Sequence, residues 1–373
     1  MTKVEVRNLV KVFDKFVAVN DVSFTVNSGE FFGLLGPSGC GKTTTLYCIS
    51  GIETPTSGKI LFDDKDITKT PPQRRNIGMV FQSYAIFSNM NVYDNLAYPL
   101  RIRRTPKNEV NKMVTETAEL LGIKSHLRTK GSKLTPAQMQ LVALGRAIIY
   151  NPSVLLLDEP LSNLDPSFRM DTLRHIRRVQ RLLKITTIFV THDQYEALSA
   201  CDRIAVMRSG KIIQLGTTDE IYYNPRHTFV AEFVGTPPMN LLETKVVKKD
   251  GKIFLDAKEF ERPVHISGIS IPEEDSVIVG FKPEDVNIHT GGEIAGDGLM
   301  IRGRIRSVER NPIENIYIVE VNGKIIKFVS RAEIAAGVSV MLVIPTSRIY
   351  VYSGKTGMLV TSPNNQKRIA SLS

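Results

Sequence analysis

Cysteine is scarce: Cys40, Cys48 and Cys201 are the only three among 373 residues. They are odd in number and spaced like neither a zinc site nor a disulfide framework, which favours a reducing compartment. Long apolar runs are missing as well, and none approaches the roughly 18 residues that a membrane-spanning helix needs. The amino end shows no signal-peptide pattern, because charged Lys3, Glu5 and Arg7 alternate with Val4 and Val6. These absences predict a soluble chain without staples, long enough for two or three domains.

A net charge of +10 invites a nucleic-acid reading. The clearest basic cluster, Arg174, Arg177, Arg178 and Arg181, falls on one face of a predicted helix. It lacks the interleaved aromatics of a nucleic-acid surface, so a solvated helix face is the favoured reading and no specific nucleic acid is expected.

The most informative stretch is Gly36-Pro37-Ser38-Gly39-Cys40-Gly41-Lys42-Thr43-Thr44, which reads GxxxxGK[ST] directly after the apolar run Phe31 to Leu35. Between a strand and a helix, that pattern is a phosphate-binding loop. Its glycines turn backbone N–H groups toward one point, and the helix start adds attraction for nucleotide phosphates. Lys42 is expected to reach the terminal phosphates, Thr43 to hold magnesium, and Cys40 to serve as a small residue within the loop.

Short strands precede the loop, and Ile77 to Phe81 is a further strand. Helical periodicity then runs to about Tyr150, including Glu109 to Leu121 and Ala137 to Ile149, as a helical insertion. Val154-Leu155-Leu156-Leu157 is a continuous apolar run ending in Asp158, the pattern of a central parallel strand covered on both faces. Ile188-Phe189-Val190 repeats it and ends at Thr191-His192, while Arg203 to Met207 and Lys211 to Leu215 form a hairpin. Around Gly235-Thr236-Pro237-Pro238 the character changes to repeated short strands, which suggest a small barrel or sandwich followed by a loose polar tail after Gly354.

Asp158 and Glu159 after the apolar strand have the form of a Walker B element: Asp158 binds magnesium directly or through water, and Glu159 orients the attacking water. His192 at the end of a neighbouring strand shares the crevice where such sheets bind ligands. Three more segments stand in order: Met79-Val80-Phe81-Gln82-Ser83-Tyr84, Leu161-Ser162-Asn163-Leu164-Asp165 and Thr191-His192-Asp193-Gln194. Over Met1 to about Gly235 this set resembles the ATP-binding-cassette family. The resemblance implies an α/β P-loop NTPase cassette, residues 1–235, with a helical subdomain at about 83–150. It makes Gln82 a contact to magnesium and lytic water, His192 a contact to the γ-phosphate, and Asp165 a link across a cassette dimer. Phe13 takes the place of the aromatic that stacks on adenine, with ordinary strand packing as the alternative.

The family's signature normally reads Leu-Ser-Gly-Gly-Gln, and here Leu134-Thr135-Pro136-Ala137-Gln138 stands in its place. In the family, the signature of one cassette meets the γ-phosphate held by another. Thr135 keeps a hydroxyl, but Pro136 lacks an N–H and Ala137 adds a side chain, so the mechanism is expected to be strained. Thr135, Pro136 and Gln138 nonetheless form a capping-box pattern with proline at the first helical position, which predicts a correctly started helix. Leu141 replaces an arginine often found shortly afterwards. Weakened sites in a homodimer and a heterodimer with a normal partner signature both remain open.

Gly235 to Leu242, including Met239-Asn240, and Gly280 to Val286 resemble the linker and later turn of the maltose-type carbohydrate-importer ATPases. That implies an OB-like all-β regulatory domain at 236–373, with Met239-Asn240 merely packing a joint as the plainer alternative. The expected machine is an ATP- and magnesium-dependent subunit peripheral to the cytoplasmic face of the membrane. Its implied partners are two permease subunits, an extracytoplasmic solute-binding protein and a second cassette, and the expected solute is a sugar or a sugar-like compound. Ferric-ion or polyamine import, and a nucleic-acid-associated ATPase of the same family, are the alternatives.

Overall fold

A computed structural model describes residues 2–266, 274–290 and 298–363. The chain divides into two compact units between Thr218 and Asp219. This is earlier than the change at Gly235-Pro238, because residues after 218 fold onto the later strands. Ala231 is buried with Met239, Tyr350 and Tyr352, and the Tyr350 and Tyr352 hydroxyls donate to the carbonyls of Tyr223 and Pro225.

The first unit opens with two long antiparallel strands, β1 (Val4–Phe13) and β2 (Phe16–Val26), followed by β3 (Phe31–Leu35) and α1 (Lys42–Ser50). Next come β4 (Ser57–Phe62), β5 (Lys65–Asp66) and β6 (Ile77–Val80), then α2 (Val92–Ile102), α3 (Lys107–Leu120) and α4 (Pro136–Ile148). The unit closes with β7 (Val154–Asp158), α5 (Pro166–Leu183), β8 (Thr186–Thr191), α6 (Gln194–Ala200), β9 (Arg203–Arg208) and β10 (Lys211–Thr217).

Every residue of β3, β7 and β8 is buried, as the apolar runs at their centres require of strands covered on both faces. They form the middle of a sheet ordered β10-β9-β3-β8-β7-β6, parallel except at the β10 edge. A second, antiparallel sheet runs β2-β1-β4-β5. Leu46 and Ile49 of α1 join Val4, Leu9 and Val22 of the antiparallel sheet and Leu34 and Val190 of the parallel one in a single core. Phe24 and Phe32 stack across it with ring centroids 5.1 Å apart. Each such side chain contributes about 1.5–3 kcal/mol through burial. Within the helical segment, a Cβ on Gly145 would meet Leu96 at 2.5 Å and Leu121 at 2.8 Å, so the close approach of α4 to its neighbours requires glycine there.

The second unit adds two short helices, α7 (Thr218–Tyr223) and α8 (Thr228–Phe233), before its strands. They are β11 (Asn240–Lys249), β12 (Lys252–Asp256), β13 (Val264–His265), β14 (Ser276–Phe281), β15 (Asn287–His289), β16 (Gly298–Glu309), β17 (Asn315–Val321), β18 (Lys324–Ser330), β19 (Ser339–Pro345), β20 (Tyr350–Ser353) and β21 (Leu359–Thr361). They build two antiparallel sheets, β13-β12-β11-β14-β20-β21 and β15-β19-β16-β17-β18, around one apolar core. Asn240 fastens one to the other: its amide donates to Lys327 O and accepts from Lys327 N, both at 2.8 Å. The Met239-Asn240 pair thus has a packing role inside this unit. The tail expected to be loose after Gly354 instead begins with β21 paired to β20, since Val351 and Tyr352 meet Thr361 and Leu359. Residues 364–373 of that tail lie outside the described residues. No helix among the described residues is long and apolar enough to cross a membrane.

Candidate nucleotide site

Residues 36–41 connect the carboxyl end of β3 to α1, whose free N–H groups open toward the loop. Gly41 holds φ at 103°, and a Cβ there would lie 2.3 Å from Ala18 O, so only glycine makes this turn. Lys42 is almost fully buried and folds back along the loop, donating to Gly36 O at 2.8 Å and Pro37 O at 3.0 Å. Cys40 is buried beside it, and burial raises its thiol above the ordinary value, so it is a reluctant nucleophile. Ser38 and Gly39 lie exposed at the loop tip.

β7 is parallel to β8, and its last residue brings Asp158 to α1. Thr43 Oγ1 donates to Asp158 Oδ1 at 2.9 Å. Burial pushes the Asp158 carboxyl up, against hydrogen bonds from Thr43 and Tyr47 that pull it down. Tyr47 went unread in the sequence, although its position one helical turn after Thr43 places both on the same face of α1.

Glu159 follows with φ at 43°, a left-handed backbone that costs a non-glycine residue about 1–3 kcal/mol. Its N–H donates to Val190 O at 3.0 Å, and its carbonyl accepts from Ser162 Oγ at 3.0 Å. The turn aims the carboxylate into the crevice, where Oε1 lies 3.9 Å from Lys42 Nζ and Oε2 lies 3.0 Å from His192 Nδ1. His192 is fixed between β8 and α6. Thr191 Oγ1 donates to Glu196 and accepts from Asp193 N, and Asp193 caps α6 by accepting from Tyr195 N and Glu196 N. Lys42, Thr43, Asp158, Glu159 and His192 therefore meet at one end of the parallel sheet.

Gln82 is not brought into this group by any side-chain hydrogen bond among the described residues. Its side chain is exposed, while its carbonyl accepts from Asn163 Nδ2 at 2.8 Å, and Tyr84 Oη donates back to Asn163 O at 3.2 Å. Asp165 is the exposed residue before α5 and makes no side-chain cap bond. Phe13 ends β1 with 41% of its surface exposed and Lys11 Nζ 4.5 Å from its ring centre. It has an open face, unlike a residue of the strand core, as does the neighbouring Phe16.

At the other candidate element, Leu134 is buried and Thr135 starts α4. The capping box is complete: Thr135 Oγ1 accepts from Gln138 N, and Gln138 Oε1 accepts from Thr135 N. Pro136 takes the first helical position, and Ala137 follows half-buried. On α5, Arg174 pairs with Asp171, and Arg177 pairs with Asp202 and covers the Phe31 ring, so part of that basic face is neutralised locally.

The donors at Thr43 and Asp158 suit magnesium, which takes hard oxygen ligands and keeps the rest of its shell for phosphates and water. Among the described residues no group of three or more His, Cys, Asp or Glu residues forms a metal cage. A glycine-rich loop at a helix start suits the phosphates of a nucleotide.

The ABC transporter family profile matches residues 19–162. The trehalose/maltose import ATP-binding protein of Thermococcus litoralis is 41% identical over 96% of this chain and 100% of its own. An sn-glycerol-3-phosphate import ATP-binding protein of Psychromonas ingrahamii is 41% identical over 77% of this chain and 76% of its own. Among solved structures, an ATP-binding cassette of an ABC transporter in its ADP conformation aligns with a TM-score of 0.55 and 28% identity, covering 62% of this chain and 98% of that one. With a full-length relative at that identity and the phosphate loop, carboxylates and histidine gathered at one sheet end, this chain belongs to the ATP-binding subunits of ABC importers, which are ATPases.

Proposed function

We propose that this ATPase subunit powers uptake of a sugar or sugar-like solute from the cytoplasmic face of the membrane. It pairs with a second cassette beneath two permease subunits fed by an extracytoplasmic solute-binding protein. The observation that carries the catalytic half is the meeting of Glu159 with both Lys42 and His192. The full-length likeness to a trehalose/maltose importer subunit supports the choice of solute.

In this reading residues 36–44 cradle the phosphates, and Lys42 exchanges its loop carbonyls for a phosphate oxygen. Thr43 and Asp158 hold magnesium, which when bound offsets the negative charge of the phosphates. Glu159 orients the attacking water and takes up its developing positive charge. A hydrogen on Nδ1 of His192 would hold Glu159, while Nε2 at the opposite corner of the ring turns toward the γ-phosphate. Gln82 reports the nucleotide state to the permeases, Phe13 stacks on adenine, and Asp165 reaches the second cassette. Closure of the pair draws on contacts made only in the ATP-bound state, since a ligand shifts an equilibrium only by its differential affinity. The all-β unit serves as the regulatory domain.

Uptake assays test the solute. Cells lacking this chain should lose accumulation of labelled maltose or trehalose and regain it with wild type but not with Glu159→Gln. Unchanged disaccharide uptake with lost polyamine, ferric-ion or glycerol-phosphate uptake would replace the sugar reading.

A further inference from the structure

The start of α4 is held by a closed circuit of hydrogen bonds that extends beyond the signature itself. Gln138 Oε1 is committed to Thr135 N at 3.0 Å, so the opposite end of the same amide is Nε2, which can only donate. That Nε2 lies 3.1 Å from Nε2 of His126. Nε2 of His126 accepts there in the tautomer that carries its hydrogen on Nδ1.

His126 is well placed to impose this geometry. It closes a short turn, Lys124–His126, whose backbone is tied on both sides: His126 N donates to Ile123 O at 2.9 Å, and Thr129 N donates to His126 O at 2.8 Å. Both His126 and Gln138 are half-buried, where a hydrogen bond competes less with water.

The orientation matters more here than at an ordinary helix start. Pro136 has no N–H, and the N–H of Gln138 is used by Thr135 Oγ1 at 3.3 Å. What faces an incoming anion is the Thr135 hydroxyl hydrogen, left free because the oxygen acts as acceptor, and the N–H of Ala137. The Gln138 side-chain amide holds the Thr135 main-chain N–H, so a rotated amide would loosen the backbone that carries the Thr135 hydroxyl, one of these two donors.

We infer that His126 is a positioning residue for the signature: its Nε2 lone pair locks the Gln138 amide, and through it the Thr135 main chain that carries the hydroxyl, in the orientation presented to the nucleotide of the opposing cassette. The inference rests on the paired-cassette reading above.

The test compares His126→Leu, which removes the acceptor, with His126→Gln, which keeps a side-chain oxygen. In ¹⁵N-histidine spectra of the full chain, the resonance lost in both variants should be that of an Nδ1–H tautomer, and hydrogen exchange at the Thr135 amide should quicken in His126→Leu. Turnover at a fixed, sub-saturating ATP concentration should fall about five-fold in His126→Leu, the scale of one net hydrogen bond, with ATP binding to the monomer unchanged. In a Glu159→Gln background, the ATP concentration for half-dimerisation should rise by a similar factor, and His126→Gln should restore each value to within about two-fold of wild type. An Nε2–H tautomer, equal losses in both variants, or normal pairing by His126→Leu would overturn the assignment. If wild type itself neither pairs nor hydrolyses ATP, the paired-cassette reading fails, while tautomer and amide exchange still decide the hydrogen-bond role.

Discussion

The side-chain amide of Asn163 donates to the main-chain carbonyl of Gln82 at 2.8 Å, and the hydroxyl of Tyr84 returns a bond to the Asn163 carbonyl. Two loops 81 residues apart in sequence are thereby clasped, one carrying Gln82 and the other Asp165. The clasp offers a route between the two loops that does not involve the nucleotide. Asn163→Ala should therefore lower turnover about three- to ten-fold, the range for a lost hydrogen bond, with ATP affinity intact. Steady-state kinetics beside equilibrium nucleotide binding separate the two, and a matching loss of affinity would count against a coupling role.

The left-handed backbone at Glu159 holds its carboxylate between Lys42 and His192. Glu159→Gln keeps the shape but not the charge, so turnover should drop at least 100-fold, within the 10²–10⁴ range of a lost general base, with ATP still bound. Light scattering should then find an ATP-dependent dimer. Residual turnover near wild type would remove Glu159 from the role of base.

Pro136 and Ala137 leave the start of α4 with fewer donors than the family pattern offers. Replacing both by glycine should raise turnover in a homodimer, because an N–H is regained and a side chain removed. The same change should leave a heterodimer served by a partner's normal signature unaffected. No gain in purified, pairing protein would remove the case for a strained signature.

Asp158 gives a pH prediction with a defined sign. Burial raises its carboxyl pKa, and the Tyr47 hydroxyl opposes that rise. Tyr47→Phe should raise it further, so activity that needs the carboxylate would be lost at a higher pH as the solution is acidified. For stability, a carboxyl raised on folding means that the fold weakens as pH climbs from the unfolded value through the folded one. Asp158→Asn should thus hold or raise the Tm of the nucleotide-free chain above that range while abolishing turnover. An acid limb left in place by Tyr47→Phe would show that another group controls it.

Asn240 joins the two sheets of the second unit with a bond in each direction. Asn240→Ala removes both partners of the part-buried N–H and C=O of Lys327 and should cost about 1–3 kcal/mol, the sum of two net hydrogen bonds. Calorimetry of the full chain should show the penalty in the transition of this unit, and an unchanged transition would remove Asn240 from the joint between the sheets.

Much of this could be read from the residues alone, because the relevant physics is local. The apolar runs at Phe31 to Leu35 and Val154 to Leu157 fix buried parallel strands, the glycines fix the loop geometry around Lys42, and Thr135-Pro136-Ala137-Gln138 fixes its own capping box over four residues. Tertiary structure decided what depends on chains crossing in space. It brought Tyr47 to Asp158, joined Asn163 to Gln82, and set His126 against Gln138, pairs whose hydrogen bonds leave no periodic trace in the sequence. It also drew residues 219–235 onto Tyr350 and Tyr352, since a short apolar segment follows the surface that buries it and not the nearest proline pair.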